Sequence, residues 1–125
     1  MSTSVTVFIE NVLIFLHLVG MAIIVGSFLY QLPAAQKVIN TGMWHGILTQ
    51  LVTGVALIGV AQALHGQDPA TYELPNNTKY GIKLLVAVVL AVIIFRGKGK
   101  PAEKNVYFAV GGLALADVAV AVFWI

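Results

Sequence analysis

Four apolar runs, near residues 8–30, 42–64, 79–96 and 105–125, take up most of the chain, and polar residues gather in the connections between them. Each run approaches the roughly 20 residues that a helix needs to cross the hydrocarbon core of a bilayer. In lipid, an isolated apolar segment can satisfy its own backbone hydrogen bonds only as a helix. The pattern therefore predicts an all-α polytopic membrane protein, an up-and-down bundle of four transmembrane helices forming one domain over residues 1–125. Connections this short make successive helices antiparallel neighbours. Pro33 ends the first run and Gly42 opens the second; Asp68, Pro69 and Pro75 keep the next connection irregular, and Gly97, Gly99 and Pro101 part the third run from the fourth.

Composition removes the soluble alternative. Hydrophobic residues make up 59% of the chain and charged residues only 10%, too few to give a water-exposed domain its polar skin. No cysteine is present, which excludes disulfides, iron–sulfur clusters and thiolate metal sites. The first run lacks a basic leader and a small-residue cleavage site, so a cleavable signal peptide is not expected.

Charge placement predicts orientation. Arg96, Lys98, Lys100 and Lys104 lie between the third and fourth runs and Lys37 between the first and second, whereas the 65–79 connection carries Asp68 and Glu73 and is basic only at Lys79. Basic connections stay cytoplasmic. Both termini and the 65–79 loop are then outside, in a multi-pass protein of the bacterial inner (plasma) membrane. Tyr72, Tyr80 and Trp124 suit the outer interface, Trp44 and Tyr107 the inner one.

Small residues predict where helices touch, because close backbone approach replaces the hydrophobic drive that lipid lacks. His17, Gly20, Ile24 and Ser27 share a stripe on the first helix; Gly42, Gly46, Gln50, Thr53 and Gly54 share one on the second. On the fourth, the expected contact face is Gly112, Ala116 and Ala119. The two halves of the chain share no repeated residues, so an inverted-repeat transporter is not expected.

Candidate chemistry is sparse and lies inside the helices. Asp117 interrupts the fourth run, and a carboxylate at the bilayer centre is unfavourable by roughly 2.5–3.5 kcal/mol on insertion scales. It needs a partner or water. At about 1.5 Å per residue, His17 and Asp117 both fall roughly 12–14 Å below the outer boundary. Equal depth allows a direct hydrogen bond that would fix the imidazole tautomer and leave the other ring nitrogen for a metal or a proton. The plainer alternative is a polar clamp between the first and fourth helices. Lys83 lies roughly 7–8 Å inside the third helix; its stem is expected to snorkel to the outer interface, with a reach towards Asp117 as the alternative. Glu10 reads as an interfacial charge, with a pairing to Lys83 as the alternative, His45 as a residue of the inner end, and His65 as the start of the outer loop. No HExxH, phosphate loop, nucleophile triad or nucleic-acid motif occurs. The basic 96–104 connection favours anionic headgroups.

The segment Leu16-His17-Leu-Val-Gly20 through Ser27-Phe-Leu-Tyr30-Gln-Leu-Pro33, with Gly81-Ile-Lys83-Leu-Leu, resembles the membrane-bound protoporphyrinogen oxidases of the HemJ type and the related copper-resistance D proteins. The resemblance implies a four-helix bundle in which His17 and Lys83 are associated with haem b and His17 is the metal ligand. Where that family carries an Arg-x-x-Asn-Glu-x-Pro-like element in its fourth helix, this chain has Ala114-Leu-Ala-Asp117-Val-Ala, which implies the bundle without the oxidase.

Three functions follow as expectations. The first is a non-catalytic accessory subunit, without a cofactor, packed against other integral membrane subunits of a larger complex such as a respiratory assembly. The second is a haem-binding redox protein using His17, with Asp117 or Lys83 beside that ligand or as the other ligand. The third is a small proton-coupled transporter using Asp117. No nucleic-acid partner is expected.

Overall fold

The computed structural model describes residues 2–123. Four helices carry the fold: α1 (Thr3–Tyr30), α2 (Thr41–Gln67), α3 (Asn77–Gly97) and α4 (Lys104–Phe123). Three begin on a side-chain cap. Ser2 Oγ accepts from the Val5 N–H at 3.3 Å, Asn40 Oδ1 from Met43 at 2.8 Å and Asn76 Oδ1 from Lys79 at 3.1 Å. Each cap satisfies a backbone donor that the helix cannot satisfy itself.

All four helices are long and apolar enough to cross a membrane. Their apolarity extends around the whole circumference: Phe8, Phe15, Leu18, Val52, Leu85 and Phe123 stand exposed on the outside of the bundle. A helix that is apolar on every side suits a hydrocarbon surrounding, and so large an apolar exterior is foreign to a water-soluble monomer.

The helices close a ring in which each packs on its sequence neighbour and α4 returns to α1. The α1–α2 contact is the most extensive and the α1–α4 contact the least. Gly20 and Gly46 make the first possible. A Cβ on Gly46 would lie 2.8 Å from the Gly20 carbonyl oxygen, and one on Gly20 3.0 Å from the Gly46 oxygen. This is the small-residue crossing expected for helices one and two.

The α1–α2 and α3–α4 connections lie at one end, where they pair as a short antiparallel ribbon of β1 (Lys37–Ile39) and β2 (Lys100–Ala102). The sequence pattern contains no strand signal at either place. Lys37 accounts for the local order. Its Nζ donates to the carbonyls of Gln31, Leu32 and Ala34, closing the frayed end of α1, and stands over the Tyr107 ring. Gln31 Oε1 accepts from the Val38 N–H at 2.8 Å and fixes the strand against the helix end. Lys98 sits 4.9 Å from the ring centres of both Trp44 and Phe95, a cation–π clamp beside the ribbon. We call this the ribbon end; the α2–α3 connection and the start of α1 mark the opposite, loop end.

The solid core belongs to the ribbon-end half. Ile24, Phe28, Ile39, Met43, Ile47, Leu90, Ile94, Tyr107, Val110 and Ala114 form one buried cluster. Tyr107, expected at an interface, is fully buried because its hydroxyl donates to the Phe28 carbonyl and its ring lies 4.8 Å from that of Phe28. A buried tyrosine needs such a partner, and the end of α1 supplies it.

The fourth helix is rotated from the expected setting. Gly112 and Ala116 are exposed and Ala119 only part-buried; the inward stripe is Tyr107, Val110, Gly111, Ala114 and Asp117. Both stripes are small, but only one also carries the carboxylate and the tyrosine, and leaving those outside would be the costlier arrangement. Trp124, expected at an interface, lies outside the described residues.

Candidate functional site

The loop-end half of the bundle contains a partly open cavity of about 220 Å³, and every helix contributes to its wall. From α1 come Glu10, Ile14 and His17, residues at i, i+4 and i+7 that share a helix face. From α2 come Gln50, Leu51, Gly54, Leu57, Ile58 and Ala61; from α3, Tyr80, Lys83, Leu84 and Ala87; from α4, Asp117. The ring of helices thus brings His17, Lys83 and Asp117 together, with Glu10 as a fourth ionisable group. Lys83 and Glu10 are both wall residues of this cavity. At about 30 Å³ per water, the space equals roughly seven waters.

His17 and Asp117 share the cavity but not a hydrogen bond. The His17 Nδ1 lies 2.7 Å from Thr53 Oγ1, and the Thr53 hydroxyl stands 2.6 Å from the Thr49 carbonyl, to which it donates. A threonine hydroxyl has one proton. With that proton given to Thr49, Thr53 accepts from His17, so the neutral imidazole carries its hydrogen on Nδ1 and keeps Nε2 unprotonated. Gln50 donates its side-chain N–H to the His17 carbonyl, fixing the same turn of α1. The imidazole is therefore oriented by α2, across the close crossing made by Gly20 and Gly46, and not by the carboxylate on α4. The direct His17–Asp117 bond expected from equal depth is replaced by this one because α1 lies far more intimately against α2 than against α4.

Asp117 is 3% exposed, and its Oδ1 is buried with no hydrogen-bond partner among the described residues. Buried polar atoms are nearly always partnered, so this oxygen is an exception that packing does not explain. Its partner is not Lys83, although both line the same space. Among the described residues no three His, Asp or Glu side chains stand close enough to hold a metal ion.

The other two histidines lie apart. His45 is exposed at the ribbon end of α2. His65 belongs to the last turn of α2, not to the loop as expected, and its ring nitrogen pairs with the Tyr72 carbonyl at 2.8 Å, so that it straps the loop to the helix.

Sequence reasoning missed Glu10, Gln50, Thr53 and Tyr80 as residues of the site. The signal for two of them was present. Gln50 and Thr53 stand on the small, polar stripe of the second helix, at positions where lipid would not accept them. Comparison with protein-family models, with curated proteins and with solved structures finds no match for this chain.

Proposed function

We propose that the chain is a multi-pass protein of the cell membrane, its termini and α2–α3 loop on the outer side, and that it acts as a small proton-coupled carrier centred on Asp117. The observation that carries the reading is Asp117 itself: it lines a cavity together with Glu10, His17 and Lys83, and its buried Oδ1 has no hydrogen-bond partner among the described residues. Ionisable groups within membrane spans are costly, and where they occur they mark ion or proton pathways.

A carboxylate in this setting takes up a proton or a cation, but not both. His17 Nε2 is a second proton acceptor on the same wall, and Lys83 offsets one of the two negative charges. The loop-end half offers the space; the ribbon-end half closes it with the Phe28–Tyr107 stack. Release towards the other side requires the bundle to open, and the α1–α4 contact, the least extensive in the ring, is where it opens most cheaply.

The test is proton movement in proteoliposomes that enclose a pH-sensitive dye. The wild type dissipates an imposed pH gradient in the presence of a transported solute; Asp117→Asn does not, while its thermal unfolding matches the wild type. An Asp117→Asn variant with undiminished proton movement would refute the reading.

A haem-binding redox protein is the second reading, favoured by one observation: His17 and Lys83, the residues implied by the HemJ resemblance, share one cavity, and His17 keeps Nε2 for iron. Haem asks for more room, since drug-sized ligands already occupy roughly 300–1,000 Å³. A Soret band that vanishes in His17→Ala supports this reading, and a colourless purified protein removes it. The accessory-subunit reading ranks below both. The apolar outer faces suit acyl chains and a neighbouring subunit equally, and a partner does not account for the cavity.

A further inference from the structure

We propose that the ribbon end of the bundle seats an anionic membrane phospholipid, its phosphate held by the free basic side chains Arg96, Lys100 and Lys104 and one acyl chain laid along the outer face of α4. The proposal rests on the reading of the chain as membrane-spanning and is independent of Asp117.

Five cations gather at this end, and the fold itself engages only two of them. Lys37 Nζ donates to three carbonyls at the end of α1, and Lys98 stands over the Trp44 and Phe95 rings. Arg96, Lys100 and Lys104 are exposed, and no hydrogen bond, ion pair or ring contact engages their side chains among the described residues. Against these three the same stretch carries one acid, Glu103. The surplus is positive, so the occupant that complements it is an anion.

The face below Lys104 selects a lipid over a soluble anion. Lys104 opens α4, and Phe108, Gly112 and Leu115 follow at i+4, i+8 and i+11 on one exposed face. Nothing lies within 4 Å of where a Gly112 Cβ would stand, so the apolar track has a gap between Phe108 and Leu115 in which a chain can rest. From Lys104 to Leu115 the helix rises about 16 Å, close to the roughly 15 Å that one leaflet contributes to the hydrocarbon core. A cation at the head of an apolar track one leaflet deep matches a phospholipid along its length, whereas a free phosphate uses only the head. In the proposed orientation this end faces the cytoplasmic leaflet, whose lipids carry the negative surface charge. A second copy of the chain packed symmetrically on the same face would set Lys104 against its own counterpart, a repulsion that a lipid avoids.

Native mass spectrometry of the full chain, released from detergent after incubation with equimolar phosphatidylglycerol and phosphatidylcholine of identical acyl chains, tests the seat. The wild type is expected as a monomer that retains phosphatidylglycerol at least about tenfold over phosphatidylcholine, and Lys104→Gln should lower that preference about fivefold, the scale of one basic side chain near an anionic lipid. The triple variant Arg96→Gln, Lys100→Gln, Lys104→Gln should bind the two lipids equally. Lys98→Gln removes the same charge from a residue already engaged by the fold and should change the preference by less than about twofold. A control melt establishes that each variant folds, and glycerol phosphate, which has the headgroup without the chains, should displace nothing. Equal retention of the two lipids by the wild type, an undiminished preference in the triple variant, equal losses in Lys98→Gln and Lys104→Gln, displacement by glycerol phosphate, or a lipid-free dimer would each overturn the proposal.

The two proposals fail separately. Proton movement that depends on Asp117, without lipid selectivity, removes the lipid seat and keeps the proton pathway. Selective retention of phosphatidylglycerol without coupled proton movement keeps the seat and removes the carrier.

Discussion

The two halves of this bundle are built from the same four helices, yet they obey different rules. In the ribbon-end half, side chains form a buried cluster: Ile24, Ile94, Leu90 and Val110 are fully buried, and the Tyr107 hydroxyl among them has its partner in the Phe28 carbonyl. The loop-end half keeps a cavity instead, and Asp117, whose buried Oδ1 has no hydrogen-bond partner among the described residues, is one of its wall residues. The buried cluster and the cavity are separated along the helix axis: one end holds the core, and the other holds Glu10, His17, Lys83 and Asp117.

Substitutions that act alike in sequence should therefore act differently in the two halves. The largest contrast is Ile94→Ala against Ile58→Ala. Ile94 is fully buried, so its truncation leaves a cavity and should cost about 2–5 kcal/mol, read from thermal unfolding in detergent. Ile58 faces space already, and its truncation should cost less than about 1 kcal/mol because little packing is lost. Comparable losses at both sites would erase the distinction between the halves.

Next come adjacent glycines. A Cβ on Gly111 would overlap the Phe28 ring, whereas one on Gly112 meets nothing within 4 Å. Gly111→Ala should destabilise by about 1–3 kcal/mol through overpacking. Gly112→Ala should be neutral or gain up to about 1 kcal/mol from helix propensity. The reverse order would mean that α4 is turned the other way. Tyr107→Phe is a smaller change. It removes the hydroxyl from the Phe28 carbonyl and should cost about 1 kcal/mol, with the ring contact retained. The smallest expected effect on stability is that of Asp117→Asn, below about 1 kcal/mol, because Oδ1 has no hydrogen bond to lose. A melt that falls by several degrees would mean that Asp117 is a clamp between helices.

How far the sequence foretold this depends on the residue. The helices were legible because lipid-length apolar runs leave no other solution, and the α1–α2 crossing was legible because Gly20 and Gly46 each stand on a small-residue stripe. The rotation of α4 was not. Gly112, Ala116 and Ala119 look as suitable for contact as Gly111 and Ala114, and only the phase of Asp117 and Tyr107 separates the two faces. Grouping His17 with Asp117 by depth brought the right residues to one level, yet depth carries no information about rotation, and Thr53 took the imidazole. The ribbon was invisible because three-residue strands, one containing Pro101, have no periodicity to read.

The absence of native cysteine permits a direct test of whether the loop-end cavity is reached by solvent while the ribbon-end core is not. Ala61 lines the cavity and Ala114 is fully buried in the core. Single Ala61→Cys and Ala114→Cys proteins in sealed vesicles are treated with a charged, membrane-impermeant thiol reagent. Ala61→Cys should be modified when the reagent is on the side of the α2–α3 loop, and Ala114→Cys should stay unmodified from either side. An unreactive Ala61→Cys, or equal labelling at the two positions, would contradict it.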